Sequence, residues 1–453
     1  MLSRTYVAGL LGLASTAAAV ELNTGARGML EQSMTWMDSY YDEAIGYLFD
    51  YEANDGTHET RHSVWYACGL LARNNDGDVD RAETIFQNVI KAQYKDPTKE
   101  WYGGYQQSPE EPAEPQPPVI IYQSWDPNWR GFIGSALIVA LEEFSDLLSQ
   151  GTKDLVVESI YNATVGDSYR TGNLEPGKDN LYPAYSNPAI MRAFTAGWVG
   201  RRLNDDNVTS EGEQYGQDIV DLFDEHDTLS EFNSPTYTGV SLYGLVLWSA
   251  YLSPDSVMAQ AGPRMVLKTW QSVSQVWNPH LRNMAGPWDR SYGYDMNEYV
   301  SLMALWLWPL IGREAAGLKD QPETMLHVGD YAYAPMMAIL TGANNGLAPD
   351  RLGEGLKSFG GERTYEAQAY SPPYDNAPRQ YTTWVDKKLT VGAVTFDQIQ
   401  AGGASRSTEA FMPGIVQWDT GSEVGWIKVS FLPPTTIFFP SFWTGYGVRS
   451  RAV

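Results

Sequence analysis

The sequence predicts a mainly α protein, an α/α toroid of helical hairpins followed by a smaller antiparallel β part, from three observations. Apolar residues recur at helical spacing from about residue 25 to 315. Gly, Pro, Asp and Asn turns cut that stretch into segments of ordinary helix length. Beyond residue 380 the period changes to β-branched and aromatic runs bounded by turns.

Near the start of the chain Arg4 precedes an apolar run over 6–13 and small residues ending Ala17-Ala18-Ala19. That pattern reads as a secretory signal peptide over 1–19, which makes the expected location extracellular. No later stretch carries the ~20 uninterrupted apolar residues that a membrane helix needs, so no membrane partner is expected. Cys68 stands alone in an apolar segment and reads as a buried thiol. Sequons at Asn162 and Asn207 would carry glycans in a eukaryotic host, each expected on an exposed turn.

Helical segments are predicted at 28–47, 62–73, 80–94, 129–148, 188–202, 211–225, 243–251, 263–277 and 295–311. Short connections such as Asn74-Asn75-Asp76-Gly77-Asp78 pair neighbours into hairpins. A ring suits such a series because each hairpin buries one face on the next. An open solenoid would carry a repeat of fixed period, and none is convincing here. The toroid is assigned to 20–320, a linker and loop region to 321–380, and a small antiparallel β domain to 381–453. Its strands are expected at 381–385, 389–396, 414–418, 426–431 and 436–439. That is few for a sandwich, so the β part is either minimal or cut short.

The net charge of -24 repels phosphate polymers and argues against a nucleic-acid partner. The 16 Trp and 28 Tyr serve either a large core or a cleft in which flat sugar faces stack on rings. A monomer acting on a polysaccharide or oligosaccharide is expected, with no cofactor and no metal.

Long ordered loops at 100–128 and 229–237 interrupt the helices, and such loops usually carry the site. The second holds Glu231, Asn233 and Tyr237 before the segment with Tyr243. An amide beside a phenol suits β-elimination from a uronic acid: the amide stabilises the developing dianion and the phenol moves the proton. The bland alternative is an Asn that caps the following backbone. A second cluster holds Trp288, Arg290 and Tyr292, where Arg290 would pair with a substrate carboxylate and Trp288 would stack on a ring. Its bland alternative is Arg290 paired with Asp289 or Asp295.

The third cluster, Trp125-Asp126-Pro127-Asn128-Trp129-Arg130, opens a helix, so Asp126 or Asn128 caps it or Asp126 serves as a glycosidase acid or base. Its partner would be Glu231 or Asp295. His58-Glu59-Thr60-Arg61-His62 matches the spacing of a zinc-peptidase helix, but Asp55-Gly56-Thr57 reads as the turn before that helix. His62 then reads as a satisfied or sugar-facing residue. Trp65, Trp125, Trp129 and Tyr243 are candidate sugar-contacting rings.

Taken together, RHSVWYACGLLAR, DPNW, EFNSPTYTGVSLYGL and GPWDRSYGYDM resemble secreted fungal and bacterial proteins of the heparinase II/III and alginate-lyase-like group. That resemblance implies a toroid followed by β strands and elimination across uronic-acid linkages. It implies catalytic roles for Asn233, Tyr237 and His280 or His226, with Arg290 and Tyr292 as binders, and Tyr292 is counted among the catalytic candidates as well. No histidine follows His327, so the β-domain histidine of that group has no counterpart. The leading expectation is therefore a polysaccharide lyase. The alternatives are a glycoside hydrolase using Asp126, Glu231 and Asp295, or a non-catalytic glycan-binding protein.

Overall fold

The computed structural model describes residues 22–53, 55–429 and the backbone of 442–443. The expected leader over 1–19, the strand-like 436–439 and the end of 426–431 lie outside the described residues. Helices α1 (Thr24–Asp38), α2 (Thr60–Arg73), α3 (Asp78–Lys91), α4 (Trp129–Phe144), α5 (Gln150–Ser168) and α6 (Ser186–Leu203) come first. They are followed by α7 (Asp206–Asp224), α8 (Tyr237–Tyr251), α9 (Val257–Val276), α10 (Leu302–Ile311), α11 (Ala334–Leu347) and α12 (Leu352–Lys357).

These helices form an α/α toroid. The inner wall runs α2, α4, α6, α8 and α11, each packed on the next, and α11 closes the ring on α2. α3, α5, α7 and α9 form the outer wall, and α1 covers α10 and α11. Sequence explains the division. α3 buries Ala82, Ile85, Phe86, Val89 and Ile90 on one stripe and leaves its other face polar. α4 and α8 are apolar nearly all round, which places them inside. Where α7 meets α6, a Cβ on Gly212 would lie 2.4 Å from the Gly197 nitrogen, so only glycine permits that approach.

Each outer helix returns the chain, so the inner helices bring their N-terminal ends to one end of the ring. Arg61 of α2 lies over the Trp129 ring of α4, and Trp65 of α2 meets Tyr333 just before α11 at 3.6 Å between centroids.

The β part is one antiparallel sheet of β6 (Arg363–Ala369), β7 (Asp375–Val385), β8 (Leu389–Gln398), β9 (Gly414–Asp419), β10 (Val424–Val429) and β11 (Phe442–Trp443), paired in chain order. Small sheets made by β1 (Tyr41–Asp42), β2 (Tyr47–Phe49) and β3 (His58–Glu59), and by β4 (Trp277–Asn278) and β5 (Asn283–Met284), decorate the ring. The large sheet sits so close to the 286–288 loop that a Cβ on Gly392 would lie 1.7 Å from the Gly286 oxygen.

Several expectations need correction. The predicted helix 28–47 stops at Asp38 because β1 and β2 turn back on each other through Gly46, at φ +78°. The predicted 129–148 ends at Phe144. Ser149 then caps the unpredicted α5, whose Oγ accepts from Thr152 N at 3.3 Å. α5 escaped notice because it buries Thr152, Ser159, Asn162 and Thr164, so its inward face does not read as apolar.

The predicted 295–311 is helical only from Leu302, because the Asp295 carboxylate gathers the Asn283 and Asn297 amides into a turn. The span 321–380 contains α11, α12, β6 and part of β7, and strand structure begins at Arg363 rather than after 380. Asn162 is not on an exposed turn: it is buried in α5, with Oδ1 accepting from Tyr102 OH at 2.7 Å. Asn207 is exposed in the first turn of α7. Cys68 is buried, its thiol pushed up by burial.

Candidate active site

At the end where the inner helices start, a cavity of about 150 Å³ is walled by Trp65, Phe132, Tyr237, Tyr292 and Tyr333. Arg61, His62, Glu52, His327 and Asp330 supply its polar lining. Arg61 stacks between rings, its Cζ 5.1 Å from the Trp65 centroid and 4.9 Å from that of Trp129. Asp330 is held at the N-terminal approach to α11. Thr236 donates to its Oδ2 at 2.9 Å and His327 Nδ1 lies 3.3 Å from the same atom. Burial disfavours a charged His327, but Asp330 outweighs it and raises the imidazole above its ordinary value.

The loops around residues 233 and 290 meet at this cavity. Asn233 Nδ2 donates to the carbonyls of Ala285 at 2.9 Å and Pro287 at 2.7 Å. Ser234 Oγ donates to the Arg290 carbonyl, and the hydroxyls of Tyr237 and Tyr292 are hydrogen-bonded. Arg290 Cζ lies 3.9 Å from the Tyr237 centroid, and its nitrogens donate to Tyr292 OH at 3.2 Å and Tyr185 OH at 3.4 Å. Behind it, Glu231 Oε1 lies 4.0 Å from Arg290 Nη1, while Asn187 donates to Oε2 at 3.2 Å.

Carboxylates precede the N-termini of α2 (Glu59), α4 (Asp126), α8 (Glu231) and α11 (Asp330). Helix dipoles favour anions at such ends, but burial works against charge. Burial wins for Glu231, pushed up to about 7 against Arg290 and with help from Asp289. Glu59 is likewise pushed up to about 7 against Arg61. Asp126 is raised by burial, opposed by the Asn128 N–H and by Arg170, Arg61 and Arg290. Burial lowers the Arg61 guanidinium, but Glu59 first, then Tyr333, Asp126 and Asp330, raise it above its ordinary value. Burial holds the Tyr237 phenol well above its ordinary value despite Arg290.

The residues singled out from sequence divide as follows. Tyr237, Tyr292, His62 and Trp65 line the cavity. Trp129 packs on its Arg61, Arg290 on its Tyr237 with Glu231 behind, and Asp126 precedes α4 without lining it. Asn233 does not line it: both hydrogens of its amide go to carbonyls, and it borders a separate small pocket with Glu231 and Phe232. Trp288 cannot stack on a sugar: it is fully buried against Met412 and Ile415. Tyr243 is buried in the core with its hydroxyl on Ser135, and Trp125 is buried beside Arg130.

His280 sits elsewhere, its Nε2 3.0 Å from Asp419 in a groove beside the sheet. Asp295 is committed to Asn283 and Asn297. His58 and His62 do not share a helix face. His58 lies on β3 against Glu110 at 2.6 Å, while His62 Nδ1 meets Tyr51 OH at 2.9 Å.

Asp330, His327, Tyr333 and Tyr185 were not marked from sequence as site residues. A signal was present: His327 and Asp330 stand three apart just before Pro335, at a helix start.

Residues 27–342 match a family model described as "Domain of unknown function (DUF8769)", and residues 361–434 match a second, "Domain of unknown function (DUF8770)". No curated protein matches the chain. Among solved structures, "Glycosidase Wild Type" aligns at 13% identity and TM-score 0.39 over 73% of this chain and 100% of that one. A GH8 endo-beta-1,4-glucanase from an Achatina fulica gut metagenomic library aligns at 14% identity and TM-score 0.36, over 69% of this chain and 97% of that one.

Proposed function

The chain belongs to the DUF8769 family, and on that premise we propose that it is a glycoside hydrolase acting on an uncharged glycan in the cavity of the toroid. The observation that carries this reading is a cavity walled by aromatic rings whose lining includes the Asp330 carboxylate and Phe132 of α4, the helix that Asp126 precedes by three residues. Glycoside hydrolysis needs a protonated carboxyl and an ionised one flanking the scissile bond. Asp126 is raised by burial and remains partly exposed, which suits the acid. Glu231 is raised too, but it is 4% exposed and turned toward Arg290. It is therefore held behind the cavity as a partner of Arg290 and Asn187 rather than placed as the acid.

In this reading Asp126 gives its proton to the glycosidic oxygen as that bond breaks. Asp330, held by Thr236 and His327, takes a proton from the water that bonds to the anomeric carbon. Tyr292, 40% exposed, offers its ring face to the sugar, while Trp65 is buried beneath Arg61 and Tyr333.

Elimination is the weaker reading for two physical reasons. The Asn233 amide that would neutralise a uronate is spent on Ala285 and Pro287. The Tyr237 phenol that would remove the proton is held protonated by burial. The net charge of -24 also disfavours an anionic polymer. The test is a panel of uncharged and uronate-containing polysaccharides assayed in parallel for reducing ends and for a new ultraviolet chromophore. Reducing ends from an uncharged member without the chromophore are expected, and cleavage confined to uronates with the chromophore would reinstate the lyase.

A further inference from the structure

A groove of about 660 Å³ runs between the toroid and the sheet, lined by Tyr294, Tyr299, Leu326, Glu423, Trp426 and Lys428 among others. It shares Tyr292 with the cavity, so that one exposed ring forms part of both walls. From these features we infer that the groove is a binding track for a linear uncharged polysaccharide, with the β sheet supplying its far end. The inference rests on the hydrolase reading of the cavity and extends it to a polymeric substrate.

Three features support the track. Tyr294 and Trp426 lie with centroids 4.4 Å apart at 48°, each only partly covered, and give an angled aromatic floor. Sugar rings place their C–H faces on such a floor. Lys428 fixes it, donating to Tyr294 OH at 2.5 Å with Nζ 4.2 Å from the ring centroid. The rim carries Glu423 and Glu298, the latter paired with Lys319 at 2.8 Å, and carboxylate oxygens accept from sugar hydroxyls. Leu326, 70% exposed, adds an apolar edge. A chain with one unit in the cavity passes over Tyr292 into this track.

The probes are soluble β-1,3-glucan, α-1,4-glucan, β-1,4-mannan and β-1,4-xylan, each with its p-nitrophenyl disaccharide. For the glycan that is cleaved, Trp426→Ala should lower the ratio of polymer to disaccharide kcat/KM about tenfold. Trp426→Phe, which keeps a ring, should restore most of it, and Lys428→Gln should give an intermediate loss. Melting temperatures check that each variant is folded. An unchanged ratio in both Trp426→Ala and Lys428→Gln overturns the track while leaving the hydrolase in place.

Affinity electrophoresis through gels cast with the same polymers separates the two ideas. Retardation of the wild type that Trp426→Ala abolishes, without cleavage of any probe, keeps the track and rejects the hydrolase. A wild type that neither cleaves a probe nor is slowed by one overturns both.

Discussion

Arg379 Nη2, on the second strand of the large sheet, lies 2.5 Å from the carbonyl oxygen of Ser230, the residue before Glu231. The same guanidinium bonds Ser371 at 2.7 Å, Asp375 at 2.8 Å and Asp289, while Asp289 accepts from the Phe232 N–H at 3.0 Å. A buried arginine of the β part thus sets the position of the loop that carries Glu231 and Tyr237. Buried ion pairs are poor sources of net stability, but removing one partner strands the others. Arg379→Ala should therefore cost about 3–5 kcal/mol in urea unfolding. Arg379→Lys should recover only part of that, because an ammonium cannot make the forked contacts.

Glu231 gives a pH signature. Its folded value of about 7 stands above the ordinary 4.5, so between these the native chain holds a proton that the unfolded chain has released. Stability must then fall as pH rises from about 4.5 to 7, by up to ~3 kcal/mol for this group. Glu231→Gln should flatten that part of the profile, measured as unfolding free energy at each pH. A wild-type profile that rises across this window contradicts the assignment.

Tyr292 is 40% exposed and stacks on His327 at 4.1 Å, with planes 15° apart. Tyr292→Ala should raise KM for a cleaved oligosaccharide about tenfold, through loss of a ring face. Tyr292→Phe keeps the ring and loses the hydroxyl bonds to Tyr237 and Arg290, so its KM should stay within about threefold of wild type. Equal losses in both would place the contribution in the hydroxyl.

Asp330 is the expected base. Asp330→Asn keeps the acceptor for Thr236 but cannot take a proton, and should lower kcat by ~10²–10⁴ with little change in melting temperature. Steady-state kinetics on the cleaved glycan provide the check.

The hairpins were legible because α2, α3, α7 and α9 are amphipathic or sharply capped, and the ring follows from hairpins in series. α5 was not, since its inward face carries Thr152, Ser159 and Asn162, whose partners lie far away in sequence. Likewise the first half of α11, from Ala334 to Leu340, is apolar and buried all round, so its start at Ala334, and with it Asp330, went unmarked.

The loops around 233 and 290 stood out by composition, and they do meet. What composition could not tell is which atoms remain free. Asn233 looked like a catalytic amide and proves to be spent on backbone carbonyls. Trp288 looked like a sugar platform and is packed under the sheet. Only the register of the sheet against the 285–290 loop decides such matters, and no local pattern encodes it.

The most direct test replaces Asp126 by asparagine. Reducing-end release from an uncharged polysaccharide should fall by ~10²–10⁴ in Asp126→Asn, while the melting temperature stays near that of the wild type. A substrate with a good leaving group, such as a dinitrophenyl glycoside, should lose far less, because its departure needs no proton. Full activity of Asp126→Asn on the polysaccharide would contradict the account.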